Sequence, residues 1–275
     1  MAADSDGAAR SAETDKLWNE MSVDPVELHL GKDSGFTLRA YRMSDTLPGA
    51  KNAPESEVAE EEALEETDEA AAERPDDAEA VLPEDADAPE PDAADFADEE
   101  PVAEDEEDAL DAEPEDVPVF LTRKGKLLVF REPEALVAYV KENDDHDLAV
   151  IEEFAELQER VSVDDIVCDE DDTYELDLVV ANLRGGHDAW EPELLIKAAE
   201  VGRDLGYALK NDSIVGPLAP GSPLDDLDES FRVVVEGGLR GKLAKRRLKK
   251  NDAQQAAIAW RGVIAKINDH VEWRG

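Results

Sequence analysis

Two histidines sit beside aspartates in this chain, His146 in DDHDL and His187 in GGHDAW. A general base uses that pairing when a carboxylate orients an imidazole. The same residues also suit loops that run into helices, where His and Asp supply caps and hydrogen bonds, and this structural use is the simpler reading of both. His29 and His270 stand alone. With one cysteine, Cys168, and no two histidines at helical ligand spacing, the sequence offers no zinc site. A single cysteine also forbids an internal disulfide, which fits a reducing compartment and a half-buried thiol. The acidic run Asp169 to Asp172 lacks the glycine and the later bidentate glutamate of a calcium loop. Neither GxxxxGK nor a GxGxxG after a strand occurs, so nothing points to a cradled phosphate. The expectation is a protein that acts by binding rather than by chemistry, with no catalytic residue, cofactor, metal or small-molecule substrate.

The strongest chemical signal is the run LRGKLAKRRLKK. Arg240, Lys242, Lys245, Arg246, Arg247, Lys249 and Lys250 place seven cations in eleven positions with no acid among them. Clustered Lys and Arg displace counterions from phosphates, so nucleic acid is one partner that fits. Against that partner stand a formal chain charge of −44 and the absence of interleaved aromatics for base stacking. Two further readings remain beside it. An acidic stretch of the same chain covers the patch until a partner displaces it, or the run is a solvated connector between two helices.

The acidic stretch dominates the composition. Between Asp45 and Asp116, 32 acidic residues face only Lys51 and Arg74, a local charge of −30. Such a segment repels itself and has little to bury against an ordering cost of about 1–2 kcal/mol per residue, so residues 45–116 are expected to be a disordered insert. Residues 1–24 are expected to be a disordered tail. Their start, MAADSDGAAR, lacks the basic and apolar regions of a signal peptide. No run of 18 apolar residues occurs to span a bilayer, and a cytoplasmic location is expected.

The elements that must position the basic run follow from pattern. In VELHLGKDSGFTLRAYR, Val26, Leu28 and Leu30 alternate, Gly31 to Gly35 is rich in turn formers, and Phe36, Leu38 and Ala40 alternate again. This predicts a β-hairpin over residues 25–44 with one buried face. In VPVFLTRKGKLLVF, Val117 to Leu121 and Lys126 to Phe130 flank Arg123-Lys124-Gly125 and are apolar on both faces, a second and more buried hairpin. An isolated hairpin is marginal in water, so the two should pair across the insert into one small antiparallel sheet. Closing a loop of that length costs about 4 kcal/mol plus a constant.

From Pro133 the period becomes helical. Pro133 opens a helix with Leu136, Val137 and Val140, and Asp147 is expected to cap a second with Ile151, Phe154 and Leu157. The stretch YELDLVVANL fits helix or strand by its period and is read as helix. Pro192 starts a long helix to about Leu209, Ser222-Pro223 starts another that Gly237-Gly238 ends, and Asp252 caps a last one carrying Trp260 to Val271. The predicted fold class is α+β: a small N-terminal antiparallel sheet followed by a helical body, with residues 117–275 forming the second hairpin and the helices. Trp190 and Trp273, at helix edges, are either core or partner contacts.

The hairpin ending FTLRAYR, the pair VFLTRKGKLLVF, the phrase FREPEALVAYV followed by HDL, the later YELDLV and the closing helix with Trp260 resemble an actinobacterial family. That family includes the mycobacterial secretion chaperone of the accessory SecA pathway, and other members carry the label primosomal protein. The resemblance implies a non-enzymatic protein that protects or delivers other proteins, so proteins are the expected partners and nucleic acid the alternative. It further implies that client handling belongs to a C-terminal domain of the chaperone, with this chain resembling mainly the part before it.

Overall fold

The computed structural model describes residues 10–47 and 114–275. Its sheet is shaped by two tight turns. Gly31, with φ 69°, and Lys32 join β1 (Val23–Leu30) to β2 (Asp33–Met43), and the antiparallel register runs from Leu30 opposite Asp33 to Val23 opposite Ala40. Lys124 and Gly125, at φ 51° and 71°, join β4 (Thr122–Arg123) to β5 (Lys126–Phe130). Two consecutive positive φ values match the right-handed twist of the flanking strands. β3 (Asp116–Phe120) lies along the far half of β2, while Phe36 of β2 bridges to Phe130 of β5. Two short strands add parallel partners, β6 (Thr173–Glu175) beside β1 and β7 (Val271–Arg274) beside β5. The resulting order is β4-β5-β2-β1-β6, with β3 paired to β2 and β7 to β5.

Helices cover both faces, so the molecule is a mixed α+β fold. Leu127 and Val129 of β5 point into one core, Leu128 and Phe130 into the other, because successive strand side chains face opposite ways. The second core is closed by α1 (Ala12–Met21), α2 (Pro133–Glu142) and α3 (Phe154–Arg160). The first is closed by α4 (Leu176–Arg184), α5 (Pro192–Ala208), α7 (Pro223–Glu236) and α9 (Ala253–Asp269), with the single turn α6 (Asp212–Val215) beneath α9. The helices therefore sandwich the sheet instead of forming a separate body after it. The Ser222 hydroxyl accepts from Asp225 N, and Asp252 accepts from Gln254 N and Gln255 N, fixing where α7 and α9 begin.

Three expectations need correction, and a fourth, open between helix and strand, is helix from Leu176 onward. Part of the expected N-terminal tail, residues 10–24, is ordered: Ser11 caps α1, Leu17, Trp18 and Met21 are buried, and the Trp18 indole donates to the Asp165 carbonyl at 2.9 Å. Its polar residues face outward, which hid its apolar stripe. Asp147 caps no α-helix; it opens a 3-10 turn and accepts from the Thr122 hydroxyl. The ambiguous stretch is both strand and helix, since Thr173–Glu175 pairs with β1 and Leu176 starts α4. Val271 leaves the last helix and begins β7.

Residues 48–113 of the expected disordered insert lie outside the described residues. Its two ends are joined, because Ser44 N donates to the Glu115 carbonyl at 2.7 Å and Glu115 N to the Ser44 hydroxyl at 3.2 Å.

Candidate functional site

The basic run is itself a helix, α8 (Gly238–Leu248), between α7 and α9. Gly237, at φ 77°, ends α7 in a conformation that side chains rarely adopt, and the chain turns directly into α8. Leu, Lys, Arg and Ala are strong helix formers, and Lys245, Arg246 and Arg247 in the last turn sit favourably at the negative end of the helix dipole. Only small residues permit its close packing on α7. A Cβ at Gly241 would stand 3.0 Å from the Val233 carbonyl, and Ala244 and Leu248 complete the buried side.

All seven predicted cations are exposed. Lys249 meets Asp188 at 3.0 Å; the other six make no ion pair among the described residues. The arc opposite the buried side is not wholly charged. Leu239 is 81% exposed and Leu243 55%, one turn apart, so an apolar pair sits among cations on the outer face. No aromatic side chain lies on α8.

The histidines are not paired with their neighbouring aspartates. His146 is buried with Phe154 against its ring at 4.7 Å; Asp145 is bound to Arg123 and Asp147 to Thr122. Its Nε2 donates to the Asn143 carbonyl at 3.3 Å, its Nδ1 has no partner among the described residues, and burial holds its pKa below the ordinary imidazole range. His187 donates to the Asn251 carbonyl at 2.8 Å and packs on Trp190, while Asp188 turns to Lys249. His270 donates from Nδ1 to the Lys266 carbonyl and accepts at Nε2 from Asn211, so both ring nitrogens are engaged within the fold. His29 donates to Glu27 at 3.0 Å, and that bond holds its pKa above the usual range. Cys168 is partly buried, and burial pushes its thiol pKa well up, which disfavours a reactive thiolate. Trp190 is core, donating to the Leu183 carbonyl; Trp273, on β7, is half-buried beneath Arg131.

Two clusters escape a sequence reading because their members come from distant segments. In the first, buried Arg39 donates to Tyr174 at 2.7 Å and to Asp172 at 2.9 Å, and lies 3.6 Å from Asp204, which accepts from Tyr41 at 2.6 Å. Arg10 joins from α1's approach, meeting Asp169 at 3.1 Å and Asp172 at 3.3 Å. The acidic run is thus engaged by two arginines. Burial raises the pKa of both Asp172 and Asp204, outweighing the attraction of those arginines. The second cluster is a cleft of about 1000 Å³ beside β6, walled by glutamates over an apolar floor.

Residues 108–268 match the family model of the SatS C-terminal domain, more than half of the chain. The chain belongs to the SatS C-terminal domain family. A crystal structure of the SatS C-terminal domain in complex with bromine shares its fold, with a TM-score of 0.55 at 16% identity over 94% of this chain and 96% of that one. No curated protein matches the chain. Membership corrects the expectation that this chain resembles mainly the part preceding the chaperone's C-terminal domain: the stretch 108–268 matches the model of that C-terminal domain. The match begins after α1, β1 and β2, although β1 and β2 occupy the middle of the sheet.

Proposed function

We infer that this protein works by binding other polypeptides, as a chaperone-like or adaptor protein linked to export, in the cytoplasm and without catalysing a reaction. The observation that carries this is the outer face of α8, where Leu239 and Leu243 remain 81% and 55% exposed among six cations unpaired within the described residues. Exposed apolar residues framed by charge are a surface for transient contact with partly folded chains, and the cations keep that surface soluble. The resemblance to the secretion chaperone and membership of the SatS C-terminal domain family support protein clients and a link to export. No described helix is long and apolar enough to cross a membrane.

The same cations support a second reading, a nucleic-acid-associated protein of primosomal type using residues 240–250. The two differ in salt response, since phosphate contacts are lost steeply as salt rises and apolar contacts are not. The test is suppression of light scattering when a denatured secretory precursor is diluted into the full chain. The expected result is protection that persists at high salt and falls sharply in the double variant Leu239→Ser, Leu243→Ser. Undiminished protection by that variant overturns the reading. Salt-sensitive binding of DNA that depends on Arg246, Arg247, Lys249 and Lys250 would replace it with the second.

A further inference from the structure

We propose that the cleft beside β6 is a docking site for an extended polypeptide segment in which Lys or Arg alternates with aliphatic residues. The cleft has a volume of about 1000 Å³ and an apolar floor of Trp190, Pro192, Leu194, Val234 and Val235, the last 52% exposed. Its walls carry five carboxylates, Glu27, Glu170, Glu175, Glu191 and Glu193. Only Glu27 is paired, with His29; the other four make no ion pair among the described residues. Lys197, the one lysine in the wall, is engaged by the Glu170 carbonyl and by Asp171 at 3.3 Å. The site is therefore electronegative, with five glutamates against Lys197 and His29.

The shape of that charge selects the occupant. Among the described residues no three acidic or histidine side chains converge closely enough to hold a metal ion, so the carboxylates call for several cations spread along a chain rather than one ion. Nucleic acids and small anions are repelled by the same walls. The sheet adds a backbone partner. β6 lies at the end of the strand order and pairs through Glu27 to His29 of β1 on one side, and among the described residues no strand covers its other edge. Thr173 and Glu175 on that strand line the cleft, and an extended segment laid there adds a strand while its aliphatic side chains reach Val235 and Leu194. This site is separate from the outer face of α8, where contact rests on Leu239 and Leu243, and either assignment can fail alone.

The test uses the full chain and a fluorescein-labelled twelve-residue peptide of alternating lysine and valine, read by anisotropy at about 0.15 M salt. The acidic segment 48–113 will attract any cationic peptide, so the informative comparison is with the triple variant Glu175→Gln, Glu191→Gln, Glu193→Gln. It removes three exposed charges and leaves the rest of the chain's large negative charge in place. Exposed charge contacts are individually weak, and together these three are expected to weaken binding about tenfold. Val235→Asp should weaken it further, although it adds negative charge. Circular dichroism on each variant confirms the fold. Affinity unchanged within twofold in the triple variant, or tighter binding by Val235→Asp, places the peptide on the acidic segment and overturns the proposal. Equal binding of a glutamate-valine peptide overturns it as well.

Discussion

Replacing Arg39 by methionine tests whether the buried ionic cluster holds the sheet against α5. The arginine side chain is 9% exposed and its partners Asp172 and Asp204 are 13% and 17% exposed. Methionine keeps most of the volume but removes the shared cation and the hydrogen bond to Tyr174. Leaving one side of a buried ion pair unpartnered costs about 3–5 kcal/mol, and the lower end applies because Arg10 still reaches Asp172. With a urea slope of about 2 kcal/mol per molar for a domain of this size, the unfolding midpoint should fall by about 1.5 M. The sign with pH is fixed by the carboxylates. Both already have pKa values raised by burial, and losing Arg39 raises them further. A raised carboxylate contributes stability below its unfolded pKa and loses it as pH rises through the folded value. The gap between wild type and variant should therefore be widest near neutral pH and shrink as pH falls toward the ordinary Asp value of 3.8. Urea titrations of both proteins at pH 7.5 and pH 4.5 measure this directly. A midpoint shift under about 0.3 M, or a gap that does not change between the two pH values, refutes the reasoning.

His146 predicts an acid weakness of its own. Its lowered pKa means that the unfolded chain takes up a proton first, so thermal stability should drop as pH falls below the ordinary imidazole value of 6.5, and His146→Phe should flatten that drop. Trp18→Ala should cost about 3–5 kcal/mol in denaturant unfolding, since the indole is 2% exposed; a loss under 1 kcal/mol would mean that α1 is not part of the core. Ser222→Ala removes the cap of α7 and should cost about 1 kcal/mol, measured the same way, with Ser222→Thr recovering most of it.

Local chemistry made the helix starts legible. Pro133, Pro192, Ser222-Pro223 and Asp252 each stand where a helix begins, because a proline has no amide N–H left to satisfy and a capping side chain accepts from the first free amides, both without help from distant residues. The turns at Gly31 and Gly125 were legible for the same reason. What stayed hidden depends on remote partners. β6 is three residues long and exists because β1, far away in the chain, accepts it; β7 continues a helical stripe and breaks from it only to meet β5. The basic run was visible as charge, but not as a helix that exposes Leu239 and Leu243. The cleft was invisible, since its glutamates come from β1, the turn before β6, β6 itself and the start of α5.

The clasp between Ser44 and Glu115 has a consequence for how this protein can change over generations. Because the chain leaves the sheet and returns at one point, the fold registers everything between Leu47 and Pro114 as a gap of constant width. Joining two fixed points through a flexible chain costs only about 0.6 kcal/mol more for each doubling of the chain's length. A change in the length of sequence between those points is expected to leave the register of β2 and β3 as it is. The position is a natural graft point, where a lineage can exchange one intervening sequence for another while the described strands keep their order.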